Sequence, residues 1–79
     1  MEINTREEEG VKIIELVGKL TIGEGDVLLR EEVADAIGRG AKKILLNLQG
    51  VKMMDSSGLG ELVRCKHTAA TSDATVRTR

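Results

Sequence analysis

Asp55-Ser56-Ser57 is the one place where side chains able to do chemistry stand together in this 79-residue chain. It sits within Val51-Lys52-Met53-Met54-Asp55-Ser56-Ser57-Gly58-Leu59-Gly60-Glu61-Leu62, after an apolar run and at the start of a stretch with helical spacing. A hydroxyl at the junction of a buried strand and a helix is exposed and held by the first turn, and open α/β sheets place functional groups there. Such a residue can simply cap the helix, contributing about 1 kcal/mol. It can also accept a phosphoryl group, which adds about −1.5 to −2 charge where free N–H groups and the helix dipole favour anions. The third chemistry, a serine nucleophile, fits poorly. The hydrolase turn wants glycine two residues before the serine, and Asp55 stands there if Ser57 is the nucleophile. The single histidine, His67, lies at the far end of the same short helix, so no base is at hand. An enzyme is therefore not expected, whereas capping and modification of Ser56 both stay open on the residues alone.

The remaining constellations are weaker. Gly23-Glu24-Gly25 and Gly58-Leu59-Gly60 lack the third glycine and the Lys-Ser/Thr pair of a nucleotide loop. Cys65 and His67 are two ligands with no others to complete a metal site. They read as a helix-buried thiol and a surface imidazole, and no cofactor is expected. With 12 basic and 13 acidic residues the net charge is −1, and there is no Phe, Tyr or Trp. Nucleic acid is thereby disfavoured, for want of a basic face and of stacking platforms. No apolar stretch approaches the roughly 20 residues of a membrane span. The acidic start, Met1 to Glu9, has no signal-peptide core. A lone cysteine fits a reducing compartment. The expectation is a cytoplasmic protein that does not engage a membrane.

Glycines divide the chain into the elements that must position Ser56. Glu2 to Glu7 reads as a polar edge strand, Glu9-Gly10 as a turn, and Val11 to Val17 as a strand completing an antiparallel hairpin. Gly18 to Gly25 is expected as a loop. A helix follows from Asp26 to about Ile37, with Leu29, Val33, Ala36 and Ile37 on one face and Gly38 and Gly40 as its stop. Lys43 to Leu48 is almost continuously apolar. That pattern, like the adjacent apolar pairs of the second strand, predicts burial on both faces of the sheet. Strand, helix and strand from Val11 to Leu48 make a βαβ unit. Gln49 to Met54 is expected as a loop. In the second helix Leu59, Leu62, Val63 and the stem of Lys66 are the expected buried face. From Thr68 to Arg79 the chain holds four Thr and three Ala, with Val76 its only large apolar residue, and neither strand nor amphipathic helix is expected past about Ala70.

Leu20, Met53, Met54 and Leu59 would form an apolar docking surface around Ser56, with one methionine of the pair turned inward. A partner seated there would have to desolvate a dianion once Ser56 is modified. Gly58 and Gly60 each lower helix propensity by about 1 kcal/mol relative to Ala, which makes sense if another backbone approaches closely.

Glu2 to about Lys66 resembles the STAS domain of sulfate transporters and anti-sigma factor antagonists. The resemblance rests on the hairpin ending at Gly18-Lys19-Leu20, the first helix, the strand Ile44-Leu45-Leu46-Asn47-Leu48, and above all Met54-Asp55-Ser56-Ser57-Gly58-Leu59-Gly60. It implies an α/β fold with a mixed sheet packed with helices. It also implies a bacterial regulator of transcription, with Ser56 phosphorylated by an anti-sigma factor that is also a serine kinase. Unmodified protein would bind that kinase and free a sigma factor, and a serine phosphatase would restore the active form. Asp55 would shape the phosphorylation loop, Ser57 would be a helix-capping companion, and Gly58 would belong to the contact surface. The resemblance stops near His67, where another strand and further helices would follow. Residues 1–67 are thus expected as a truncated STAS domain and 68–79 as an irregular or disordered tail. The rival readings are a constitutive STAS scaffold or docking module, and a nonfunctional fragment.

Overall fold

A computed structural model describes residues 1–79. Two strands, β1 (Glu2–Glu8) and β2 (Val11–Leu20), form the antiparallel hairpin through the Glu9-Gly10 turn. Helix α1 (Asp26–Gly38), strand β3 (Lys43–Met54), helix α2 (Ser56–Thr71) and strand β4 (Thr75–Thr78) follow. The sheet order is β1-β2-β3-β4, with β2, β3 and β4 mutually parallel. The mixed α/β architecture matches the expectation, but several boundaries differ for definite reasons.

Two segments expected as loops are strand. Gly18 to Leu20 extends β2, and Gln49 to Met54 extends β3, because the two pair with each other: Gly18 with Val51, Lys19 with Met53, Leu20 with Met54. The pairing passes through irregularities at Val17 and Lys19, so the alternation that marks a strand in sequence is broken there.

The tail expected at 68–79 is ordered secondary structure. Helix α2 runs on to Thr71, and Ala74 N–H bonds to the Ala69 carbonyl while Asp73 N–H bonds to that of Ala70. This is a Schellman stop with Asp73 at φ 57°, doing without the usual glycine. The same motif ends α1, where Ala41 bonds to Ala36 and Gly40 to Ile37, with Gly40 at φ 96°. β4 then pairs with β3, Ile44 beside Val76 and Leu46 beside Thr78. Val76 and Ala74 are buried, so β3 does have a neighbour on that side.

One core cluster holds Ile14, Leu16 and Leu20 of β2, Ile44 and Leu46 of β3, and Val76 of β4. Leu29, Val33 and Ala36 of α1 join it, as do Leu62, Cys65 and Ala69 of α2. Both helices therefore cover the same face of the sheet. The expectation of cover on both faces is met only at Ile13-Ile14, both buried; Val11, Val17 and Leu45 are half-buried, and Ile13 lies outside the cluster under the helices. A four-stranded sheet with two crossover helices has too few elements for a third layer.

Candidate functional site

The site is built where β3 passes into α2. Asp55 is the N-cap, in extended backbone, and its Oδ1 accepts from Gly58 N–H at 2.9 Å. Its Oδ2 accepts from Ile22 N–H at 3.0 Å, in the turn between β2 and α1. One carboxylate thus closes the first turn of α2 and ties a neighbouring turn to it. The bonds from Ile22 and then Gly58 hold the Asp55 carboxyl below the usual carboxylate range. The turn is held from its other side by Asp26, whose Oδ1 accepts from Gly23 N–H at 3.0 Å.

With Asp55 as cap, the serines are left with other work. Ser56 is exposed and Ser57 half-buried, and both lie inside the first turn of α2 instead of ahead of it. The expected capping role of Ser57 is thus taken by Asp55. No side-chain hydrogen bond engages the Ser56 hydroxyl, which faces outward at a helix N-terminus.

Helix α2 carries two stripes. Gly58, Glu61, Leu62, Cys65 and Ala69 face inward, while Ser56, Leu59, Gly60 and Val63 recur at the spacing of the opposite face. Leu59 is 57% and Val63 60% exposed, so the expected buried face was turned by part of a turn. The cause is Glu61, which is buried because its Oε1 accepts from Arg30 Nε at 3.1 Å and Nη2 at 3.0 Å. A charge type that ordinarily points outward sits inside and displaces two apolar residues.

Leu20 cannot belong to a docking surface. It is fully buried at the end of β2, and a Cβ built on Gly58 would strike its carbonyl. Gly58 is accordingly glycine because its own chain approaches it, whereas Gly60 meets nothing within 4 Å. Met53 and Met54 are both exposed, so neither plugs the core; β3 has run past the end of the helical layer there. Ile22, 72% exposed, joins them, although only an isolated apolar residue between glycines signalled it in sequence. Val27 and Leu28 of α1 are exposed as well. Ser56 thus heads an apolar surface made of the two methionines, Ile22 and the outer stripe of α2.

Cys65 is a buried free thiol, pushed up to about 11 by desolvation and by the neighbouring Glu61 carboxylate. No three of the chain's His, Cys, Asp and Glu residues are grouped to hold a metal. No helix is long and apolar enough to cross a membrane.

Residues 2–77 match the family model of the STAS domain, a match that runs through β4. No curated protein matches the chain by sequence. Among solved structures, the Thermotoga maritima protein TM1081, assigned as an anti-sigma factor antagonist, is similar with a TM-score of 0.83 at 26% identity. That similarity covers 96% of this chain and 65% of that one. The anti-sigma factor antagonist SpoIIAA in its unphosphorylated form gives 0.77 at 22% identity, over 98% of this chain and 71% of that one. Its phosphorylated form, from Bacillus, gives 0.72 at 24%, over 98% and 68%. The murine anion transporter Slc26a9 gives 0.74 at 21%, over 92% of this chain but 12% of its own. The chain thus spans about two thirds of the two antagonists and a small part of the transporter.

Proposed function

Because this chain belongs to the STAS domain family, we propose that it acts as an anti-sigma factor antagonist, a non-enzymatic partner-binding protein of the bacterial cytoplasm. Its partner would be an anti-sigma serine kinase, and phosphorylation of Ser56 would switch it off. The observation that carries this reading is the Ser56 hydroxyl, exposed and unbonded at the head of an exposed apolar stripe. A structural cap does not explain that serine, since Asp55 already caps the helix.

The chemistry follows from the surroundings. The kinase would transfer the γ-phosphoryl group of ATP: a bond forms from Ser56 Oγ to phosphorus, the bond to ADP breaks, and the hydroxyl proton leaves to a base of the kinase. The new dianion meets opposing influences from its own chain. The N-terminus of α2 favours it, and the Asp55 carboxylate beside it repels it. These partly cancel, so the fold should change little. A partner docked on Met53, Met54, Leu59 and Ile22 would instead have to strip water from the phosphate, and should dissociate. A phosphatase that hydrolyses the ester would restore docking. Ser57 and the buried Gly58 support the loop from inside, and Asp55 sets its shape.

The test is intact mass after mixing the chain with ATP and serine-kinase anti-sigma factors proven active on another antagonist, with Ser56→Ala alongside. A single phosphate on the wild type, absent from the variant, is expected. No incorporation would overturn the switch and leave constitutive docking through the same surface.

A further inference from the structure

With no Trp or Tyr in the chain, the side chains most open to oxidation are its three methionines and one cysteine. The fold sorts these sulfurs. Cys65 lies in the core cluster, and burial together with the neighbouring Glu61 carboxylate keeps its thiol protonated near neutral pH. Met1 packs against the same cluster, with its Sδ against Gly25. Met53 and Met54 are different, being 55% and 38% exposed. They close β3 beside Lys19 and Leu20 of β2. Successive strand residues point to opposite sides, so a small reagent can reach the pair from either face of the sheet.

The two exposed thioethers stand immediately before Asp55 and Ser56, in the apolar surface they share with Ile22 and Leu59. Thioethers are only weak acceptors, and unbranched methionine adapts to varied partners. A peroxide changes that chemistry. The sulfur lone pair forms a bond to one oxygen of hydrogen peroxide and the O–O bond breaks. The departing hydroxide takes the proton from the transferred oxygen and leaves as water. Sulfur is oxidised to the sulfoxide while the peroxide is reduced, and a flexible apolar side chain becomes a polar, chiral one. Neither methionine belongs to the core cluster, so the fold stays intact. A docked partner, however, would bury the new sulfoxide oxygen against apolar atoms with no donor to meet it.

We propose that Met53 and Met54 are a reversible oxidation site, at which a peroxide turns off partner docking without any phosphate on Ser56. This rests on the docking reading given above and adds a second input to the same surface. The two inputs differ in kind. Phosphorylation needs the kinase itself and adds charge, so its effect is screened by salt. Oxidation needs only the peroxide and adds a neutral dipole, so its effect is the same at low and high salt. Methionine sulfoxide reductases return the thioether and with it the docking surface.

The test treats the full chain with hydrogen peroxide, removes the reagent, and maps the added oxygen by peptide mass spectrometry. Met53 and Met54 should be oxidised before Met1, with Cys65 untouched. Oxidation of Met1 or Cys65 first would overturn the proposal. Treated and untreated chains are then titrated, without ATP, against an anti-sigma serine kinase proven active on another antagonist. The treated chain should dock tenfold or more weakly while its far-UV circular dichroism is unchanged. Methionine sulfoxide reductases of both stereospecificities should remove the added mass and restore docking. In Met53→Leu/Met54→Leu the docking, whatever its strength, should be the same before and after peroxide. Equal docking of the treated and untreated wild type sinks the idea, as does a loss that the reductases leave in place or that the leucine variant shares. Failure of the untreated chain to dock at all is a separate result: it refutes the docking reading, and this proposal with it.

Discussion

Asp55 does two jobs with two oxygens, and that explains what its neighbour is free to do. Its bonds to Gly58 and Ile22 are charge-assisted, and they lower its pKa below the ordinary carboxylate value. The folded form is thus the better acid. Its contribution to stability is complete above the unfolded value near pH 4, and fades as pH falls through the depressed folded value. Asp55→Ala should lower the Tm by roughly 4–8 °C at neutral pH, with the difference from wild type shrinking as acid melts are taken below the ordinary carboxylate range and through the depressed folded value. Should the difference persist undiminished, the carboxylate is not the source. Cys65 offers a second residue-scale test. Buried, and pushed up to about 11, it should resist alkylation at pH 8 in the native chain and react at once in denaturant. The Asp55-Ser56-Ser57 cluster was legible in sequence because its residue types are rare together. Which of the three caps was not, because all three have capping side chains and only the backbone angle at Asp55 selects it.

At the scale of elements, α2 decides the site. Its two glycines look alike in sequence and differ in structure: Gly58 is pressed against the Leu20 carbonyl and Gly60 faces open space. Gly58→Ala should therefore destabilise the fold by about 1–3 kcal/mol in urea unfolding, since the obstacle is backbone. Gly60→Ala should do the opposite, stabilising by about 0.5–1 kcal/mol through helix propensity. If the kinase docks on this stripe, Gly60→Ala should also weaken that docking, measured by titration calorimetry. The buried face of α2 was misjudged from sequence because Leu59 and Val63 are apolar and Glu61 is charged. Only the position of Arg30 on α1, brought alongside by packing, makes Glu61 the inward residue.

Across the whole molecule, β4 ties the last residues to the sheet and to α2. Through β4 the Val76 side chain completes the core between Ile44 and α2, and Arg79 exchanges backbone bonds with Leu46 and Leu48. Val76→Asp places an unpaired carboxylate there, at an expected cost of about 3–5 kcal/mol. For a domain with about 5 kcal/mol to lose, far-UV circular dichroism at 25 °C should show it largely unfolded. Amide exchange should find β4 protected along with β3, and fast exchange confined to β4 would contradict this account.

Composition and local pattern by themselves determined that this is one α/β domain with a hairpin, a βαβ unit and a hydroxyl cluster at a helix start. Those features depend on residue type and on spacing along the chain, which are written in order. The tertiary structure alone decided that 68–79 continues the helix and adds a strand, because Thr75-Val76-Arg77-Thr78 becomes a strand only beside Ile44 and Leu46. It alone removed Leu20 from the docking surface and put Ile22 there. Whether an apolar residue at the end of an element lies under a helix or beyond it depends on where other elements stop. Spacing along one chain does not record that distance.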